Sequence, residues 1–132
     1  MNQSEEGLLD TCTLILLEKL DPRELPRKPA ISTITLAELA IGPLVAKSES
    51  ERLLRQSHLL LAEADFDPIP FDDQAARAFG AVAANLHDTG RKTAARSLDA
   101  MIAATAISRG LPLFTANPRD FEGIASLEVR QV

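Results

Sequence analysis

The sequence predicts an α/β domain built on a parallel sheet covered on both faces. Short apolar runs alternate with longer helical stretches along the chain, which is the pattern of that class. The short runs number five and the helical stretches about five, and parallel strands need such crossovers and the cover they provide. The chain has 132 residues, 45% of them hydrophobic and 25% charged, which suits one domain spanning 1–132 with its own core.

Gly7-Leu8-Leu9 is the first strand, and it runs directly into Asp10. Residues 13–20 read as helix, and Pro22, Pro26 and Pro29 then mark a loop. Ala30-Ile31-Ser32 is the second strand. Residues 35–46 read as helix, with Gly42-Pro43 expected to kink or end it. Ser48 and Glu51 match a capping box, followed by an apolar face of Leu53, Leu54, Leu60 and Leu61 on a helix reaching about Ala64. Pro68-Ile69-Pro70-Phe71 reads as a third strand bounded by prolines, and Asp72 or Asp73 caps a helix over 74–87. Ser97 is expected to cap a helix to Arg109, with Gly110 as its stop. Residues 111–115 and 127–132 complete the strands, with Asn117-Pro118 as a turn between them.

Several function classes are disfavoured by composition. The net charge of −5 argues against a bulk electrostatic nucleic-acid binder. It fits an enzyme whose acidic groups hold divalent cations facing a phosphate. Trp and Tyr are absent, so stacking platforms for single-stranded bases are scarce. The single cysteine, Cys12, excludes an internal disulfide and a multi-cysteine zinc site. No apolar run reaches the roughly 18–20 residues that span a bilayer, and the acidic, polar N-terminus is unlike a secretory signal. The expectation is a soluble, cytoplasmic protein.

Four acids stand out by context. Asp10 lies at the carboxyl end of a strand, where open parallel sheets bind ligands, though an Asp there is equally a helix cap. Glu38 is set among apolar neighbours in Thr35-Leu36-Ala37-Glu38-Leu39-Ala40, and a buried charge needs a partner or a metal, although a solvent-facing helix position is the favoured reading of that stretch alone. Asp99 lies in the first turn of a helix made almost wholly of small and apolar residues, where the helix dipole alone would also favour it. Asp120 follows the fourth strand, three residues after the neutral oxygen donor Asn117; each is also an ordinary turn residue.

Taken together, Leu8-Leu9-Asp10-Thr11, Ile34-Thr35-Leu36-Ala37-Glu38-Leu39, Ser97-Leu98-Asp99-Ala100-Met101-Ile102-Ala103-Ala104 and Leu113-Phe114-Thr115-Ala116-Asn117-Pro118-Arg119-Asp120-Phe121 resemble the PIN-domain family, and within it the VapC-type toxins of toxin–antitoxin pairs. The resemblance spans nearly the whole chain. It implies a three-layer α/β/α sandwich with a five-stranded parallel sheet. It also implies an endoribonuclease dependent on Mg²⁺ or Mn²⁺ and blocked by a cognate VapB-type antitoxin. By position, Asp10, Glu38 and Asp99 would be the core metal ligands. Some family members place the fourth acid at the position of Asn117 and others nearer Asp120; here Asp120 is favoured, with Asn117 as a weak ligand. Thr115 matches the family's hydroxyl and would orient a carboxylate or water. Cys12 replaces a polar residue frequent in the family two places after the first Asp.

Phosphodiester hydrolysis needs an in-line nucleophile and neutralisation of developing charge, which hard cations on carboxylates supply. Cys12 has no base partner in sequence and reads as a small buried residue. His58 and His87 read as structural residues away from the acids. Arg91, Lys92 and Arg96 lead into Asp99 and are candidate phosphate contacts, with a solvated loop as an equal reading; Arg119 is a weaker candidate. Residues 39–61 carry more apolar side chains than one packed face needs. Part would form a groove for an antitoxin helix or a homodimer contact, although plain core is the favoured reading. Two other functions compete. A phosphoacceptor receiver domain is supported only by Asp72-Asp73 after a strand. A PIN-like binding module with degraded catalysis is supported only by the amide at Asn117.

Overall fold

The computed structural model describes residues 6–90 and 96–132. Four strands, β1 (Glu6–Leu9), β2 (Lys28–Ala30), β3 (Leu113–Thr115) and β4 (Val129–Gln131), form one parallel sheet in the order β2-β1-β3-β4. The helices are α1 (Thr11–Ile15), α2 (Thr33–Leu44), α3 (Glu49–Asp65), α4 (Asp73–Asp88) and α5 (Ser97–Ser108).

The expected fifth strand at Pro68–Phe71 is reduced to a single parallel bridge between Ser32 and Ile69. Ile69 donates to the Ile31 carbonyl at 2.9 Å and accepts from the Thr33 amide at 2.9 Å. Proline has no amide hydrogen, so Pro68 and Pro70 leave Ile69 as the sole donor among those three residues and the ladder cannot extend. Other boundaries move for equally local reasons. The helix expected over 13–20 stops after Ile15 and tightens into a 3₁₀ turn, Leu17–Lys19. Asp21 is extended, as the residue before proline prefers, and a second 3₁₀ turn follows at Pro22–Glu24. Ser97 is the first residue of α5 rather than its cap. Only half of the expected capping box forms: Ser48 Oγ accepts from the Glu51 amide at 3.1 Å, while the Glu51 carboxylate turns to Arg55 at 2.5 Å.

Alternation along the strands divides the core into two layers, one on each side of the sheet. Leu8 and Leu113, paired across β1 and β3, pack with α4 and α5 residues such as Val82, Leu86, Ile102 and Ala103. Their neighbours Leu9 and Phe114 face the other way and pack with Leu14, Leu39 and Ala62 from α1, α2 and α3. The arrangement is the expected three-layer sandwich. In α5, Ala100 and residues 102–106 are all buried. Three alanines in that run allow its backbone to dock closely on the sheet. Gly7 is required by a similar approach, since a Cβ there would stand 2.6 Å from Cδ1 of Phe114.

Strand order places the candidate site. From β1 the chain moves outward to β2, and it later returns to the other side of β1 as β3. The carboxyl ends of β1 and β3 therefore flank a topological switch point, where a crevice opens in sheets of this kind. Asp10 directly follows β1 and Thr115 ends β3.

Candidate acidic active site

Asp10 is both helix cap and site residue. It is 4% exposed; Oδ1 accepts from the Thr13 amide at 3.1 Å and Oδ2 from the Thr115 hydroxyl at 2.7 Å. Thr115 also accepts from the Asn117 amide at 2.9 Å, so one hydroxyl ties β1 to the turn after β3. Thr115, singled out by the sequence, thus donates to the Asp10 carboxylate.

Glu38 is half-buried on α2, and Thr11 donates to its Oε1 at 2.5 Å. Thr11 in turn lies 3.0 Å from the hydroxyl of buried Thr35, one turn before Glu38. Thr11, Thr13 and Thr35 escaped the sequence reading. The available signal was a threonine beside or three residues from each of Asp10 and Glu38, within reach of a neighbouring element.

Asp99 lies in the first turn of α5, half-buried. Burial pushes its carboxyl up to about 6, and the charges of Asp120, Glu38 and Asp10 push the same way, against the pull of Arg96. Asp120 sits in a 3₁₀ turn, Pro118–Phe121, that stays close because Phe121 is buried. Arg96 donates to Asp120 Oδ1 at 2.9 Å and stands 3.7 Å from Asp99 Oδ2. Arg96, read from sequence as either a phosphate contact or part of a solvated loop, is engaged within the acid cluster; Arg91 and Lys92 lie outside the described residues.

Cys12 reports how these groups converge. It is surface-exposed, which corrects the expectation of burial: Asp10 caps α1 so that Thr13 faces the core and Cys12 turns outward. Its thiol is raised first by partial loss of solvent, then by the charges of Asp10, Glu38, Asp120 and Asp99. All four acids thus lie near enough to Cys12 for their charges to act on it. The structure brings together the end of β1, α2, α5 and the turn after β3. Asn117 is exposed at the edge of the site. Among the described residues, no three His, Cys, Asp or Glu side chains stand close enough to share one ion as they are now oriented.

The competing acids have other work. Asp72 caps α4 by accepting from the Ala75 amide at 3.0 Å, and Asp73 pairs with Arg77 at 3.2 Å. His87 is exposed, and His58 is half-buried on α3.

The pattern of the PIN domain matches residues 8–127. The chain belongs to the PIN-domain family. Among its relatives is Ribonuclease VapC5 of Mycobacterium tuberculosis, 38% identical over 132 residues, covering 96% of this chain and 95% of the relative. Ribonuclease VapC1 of Rickettsia felis is 30% identical over 129 residues and covers 95% of each chain. Among solved structures, a member of the VapBC family of toxin–antitoxin systems, VapBC-5 from Mycobacterium tuberculosis, superposes with a TM-score of 0.84 at 36% identity, covering 97% of this chain and 99% of that one. DNA-bound VapBC from Salmonella typhimurium follows with a TM-score of 0.70 at 28% identity, covering 98% of each. PIN-domain membership removes the receiver-domain reading, and Asp72 and Asp73 are occupied in capping and pairing.

Proposed function

We propose that this protein is a metal-dependent endoribonuclease toxin, restrained by an antitoxin of the VapB kind. The observation that carries this is the placement of Asp10, Glu38, Asp99 and Asp120 on the end of β1, α2, α5 and the turn after β3, near enough for the charges of the other three to act on Asp99. The relatives named ribonucleases and the likeness to a VapBC complex support the same reading.

The donor set suits Mg²⁺ or Mn²⁺, hard cations that prefer carboxylate and water oxygens. Asp10, Glu38, Asp99 and Asp120 would hold the ion, which would cancel the charge that Asp120, Glu38 and Asp10 add to the effect of burial on Asp99. When bound, such a cation supplies a more acidic water and neutralises phosphate charge. The rest is performed by the chain. Thr115 and the Thr13 amide fix both oxygens of Asp10, and Thr11 fixes one oxygen of Glu38. These bonds hold the carboxylate rotamers before substrate arrives, which preorganises the site. No side chain is needed as a covalent nucleophile.

A groove supports the antitoxin partner. It encloses about 250 Å³ between α1 with its following turn and α3, lined in part by Leu14, Leu17, Leu39, Leu54 and Leu61. Residues 39–61 are accordingly not plain core: Leu44, Leu53, Leu54 and Leu60 are all more than half exposed. Exposed apolar surface on this scale marks an interaction site, and an amphipathic helix fits a groove of this kind. Leu53 and Leu60 lie a full two turns apart on another stripe of α3, available to a second copy of the chain. Among the described residues no helix is long and apolar enough to cross a membrane.

The test is to induce the protein in bacterial cells beside Asp10→Asn and sequence new RNA ends. Growth arrest with discrete new ends only in the wild type is the expected result. No new ends from soluble, folded wild type would move the assignment to a PIN-like binding module.

A further inference from the structure

Arg96 is an unexpected group for a cation site. Its backbone is the N-cap of α5, where it makes no side-chain capping bond. Its guanidinium instead reaches into the acid cluster and places one nitrogen between carboxylates of two different elements: Asp120 Oδ1 at 2.9 Å and Asp99 Oδ2 at 3.7 Å. We propose that Arg96 is a built-in counter-cation, which holds Asp120 and Asp99 together in the metal-free chain and competes with a divalent cation for the same oxygens. The inference rests on the metal-site reading above and adds a regulatory residue to it.

The physical grounds are charge and position. Carboxylates brought this close repel one another in the absence of a cation, and the fold must offset that repulsion before any metal arrives. A guanidinium keeps its charge at all relevant pH values and presents several donors in a rigid fork. It can therefore hold one oxygen directly while neutralising its neighbour. With a divalent ion bound, the same positive charge lies within a few ångströms of a second one and opposes it. Arg96 thus stabilises the free toxin and weakens its grip on metal. It is a positioning residue, acting through Asp120 and Asp99.

The experiment uses the full chain, stripped with EDTA and dialysed. Mn²⁺ is titrated by calorimetry, and melting is followed by far-UV circular dichroism with and without Mn²⁺. Wild type, Arg96→Gln, Arg96→Lys and Asp99→Asn are compared. Arg96→Gln should melt lower than wild type without metal yet bind Mn²⁺ about tenfold tighter, equivalent to about 1.4 kcal/mol of relieved repulsion. Its gain in melting temperature on adding Mn²⁺ should exceed that of wild type. Arg96→Lys keeps the charge and should bind Mn²⁺ as wild type does, and it stands in should the Gln variant fail to fold: Mn²⁺ affinity in Arg96→Lys well above or below wild type would overturn the charge argument. Equal or weaker Mn²⁺ binding by folded Arg96→Gln overturns the inference, and so does a melting loss of the same size with and without metal. A role confined to RNA phosphates gives that first result. If wild type itself binds no Mn²⁺, the metal-site reading fails and takes this inference with it. If wild type binds and Asp99→Asn does not, the site stands and the Arg96 variants alone decide.

Discussion

Replacing Asp99 with Asn should stabilise the metal-free protein at neutral pH. The Asp99 carboxyl lies at about 6 in the folded chain against an ordinary 3.8, mainly through burial and then through Asp120 and Glu38. A folded-state value above the unfolded one means that the native protein binds the proton more tightly. Below about 3.8 both states are protonated and no penalty exists. Between there and about 6 the folded state holds more protons, so stability falls as pH rises; above about 6 the full loss is in place. The rise of about two pH units corresponds to about 3 kcal/mol at about 1.4 kcal/mol per unit. Solvent reaches 29% of the side chain, and screening there reduces the figure to about 2 kcal/mol. Asn keeps the shape and carries no charge. In EDTA, Asp99→Asn should therefore match wild type near pH 3.5 and exceed it by about 2 kcal/mol at pH 7.5. Urea unfolding followed by circular dichroism is the assay, because the chain has no Trp or Tyr for fluorescence. An Asn variant less stable than wild type at pH 7.5, or a gap that does not change with pH, would refute the reasoning. The same variant should fail to cleave RNA while remaining folded.

Thr115→Val should cost about 1–3 kcal/mol, because it leaves a buried Asp10 oxygen and the Asn117 amide without their partner; Thr115→Ser should recover most of the loss, and urea midpoints check both. Gly7→Ala should destabilise by about 1–3 kcal/mol through overpacking against Phe114, read from thermal melts. Thr11→Val should leave the fold near wild type but lower RNA cleavage by freeing Glu38, since the Thr11–Glu38 bond is only part-buried; activity beside a melting curve separates the two effects. Leu61→Arg changes a side chain that is 55% exposed in the groove, so RNA cleavage should persist while antitoxin binding weakens by about tenfold or more, measured by calorimetry.

Much of the site was legible because its acids occur at positions that the chain itself marks. Asp10 ends an apolar strand, Glu38 interrupts an apolar helix, Asp99 opens a helix of alanines, and Asp120 follows a strand and a turn. Threonines were harder to read. Thr11, Thr13 and Thr35 are ordinary in sequence, and their roles depend on which backbone or side chain lies across from them, up to 103 residues away. Pro68-Ile69-Pro70 had the flanking pattern of a strand but too few amide donors to be one.

The alternation of strands and helices along the chain and the two-faced burial were legible in the sequence, because periodicity is a local property, while the four acids were singled out as a set only by their resemblance to the family's pattern. Only the tertiary structure decided that Arg96 faces Asp120 rather than solvent, that Cys12 is turned outward over four carboxylates, and that the leucines of α3 are left uncovered. Each of those depends on the direction in which a side chain leaves one element toward another. That direction is set by how the elements pack, and no short-range pattern in the chain encodes it.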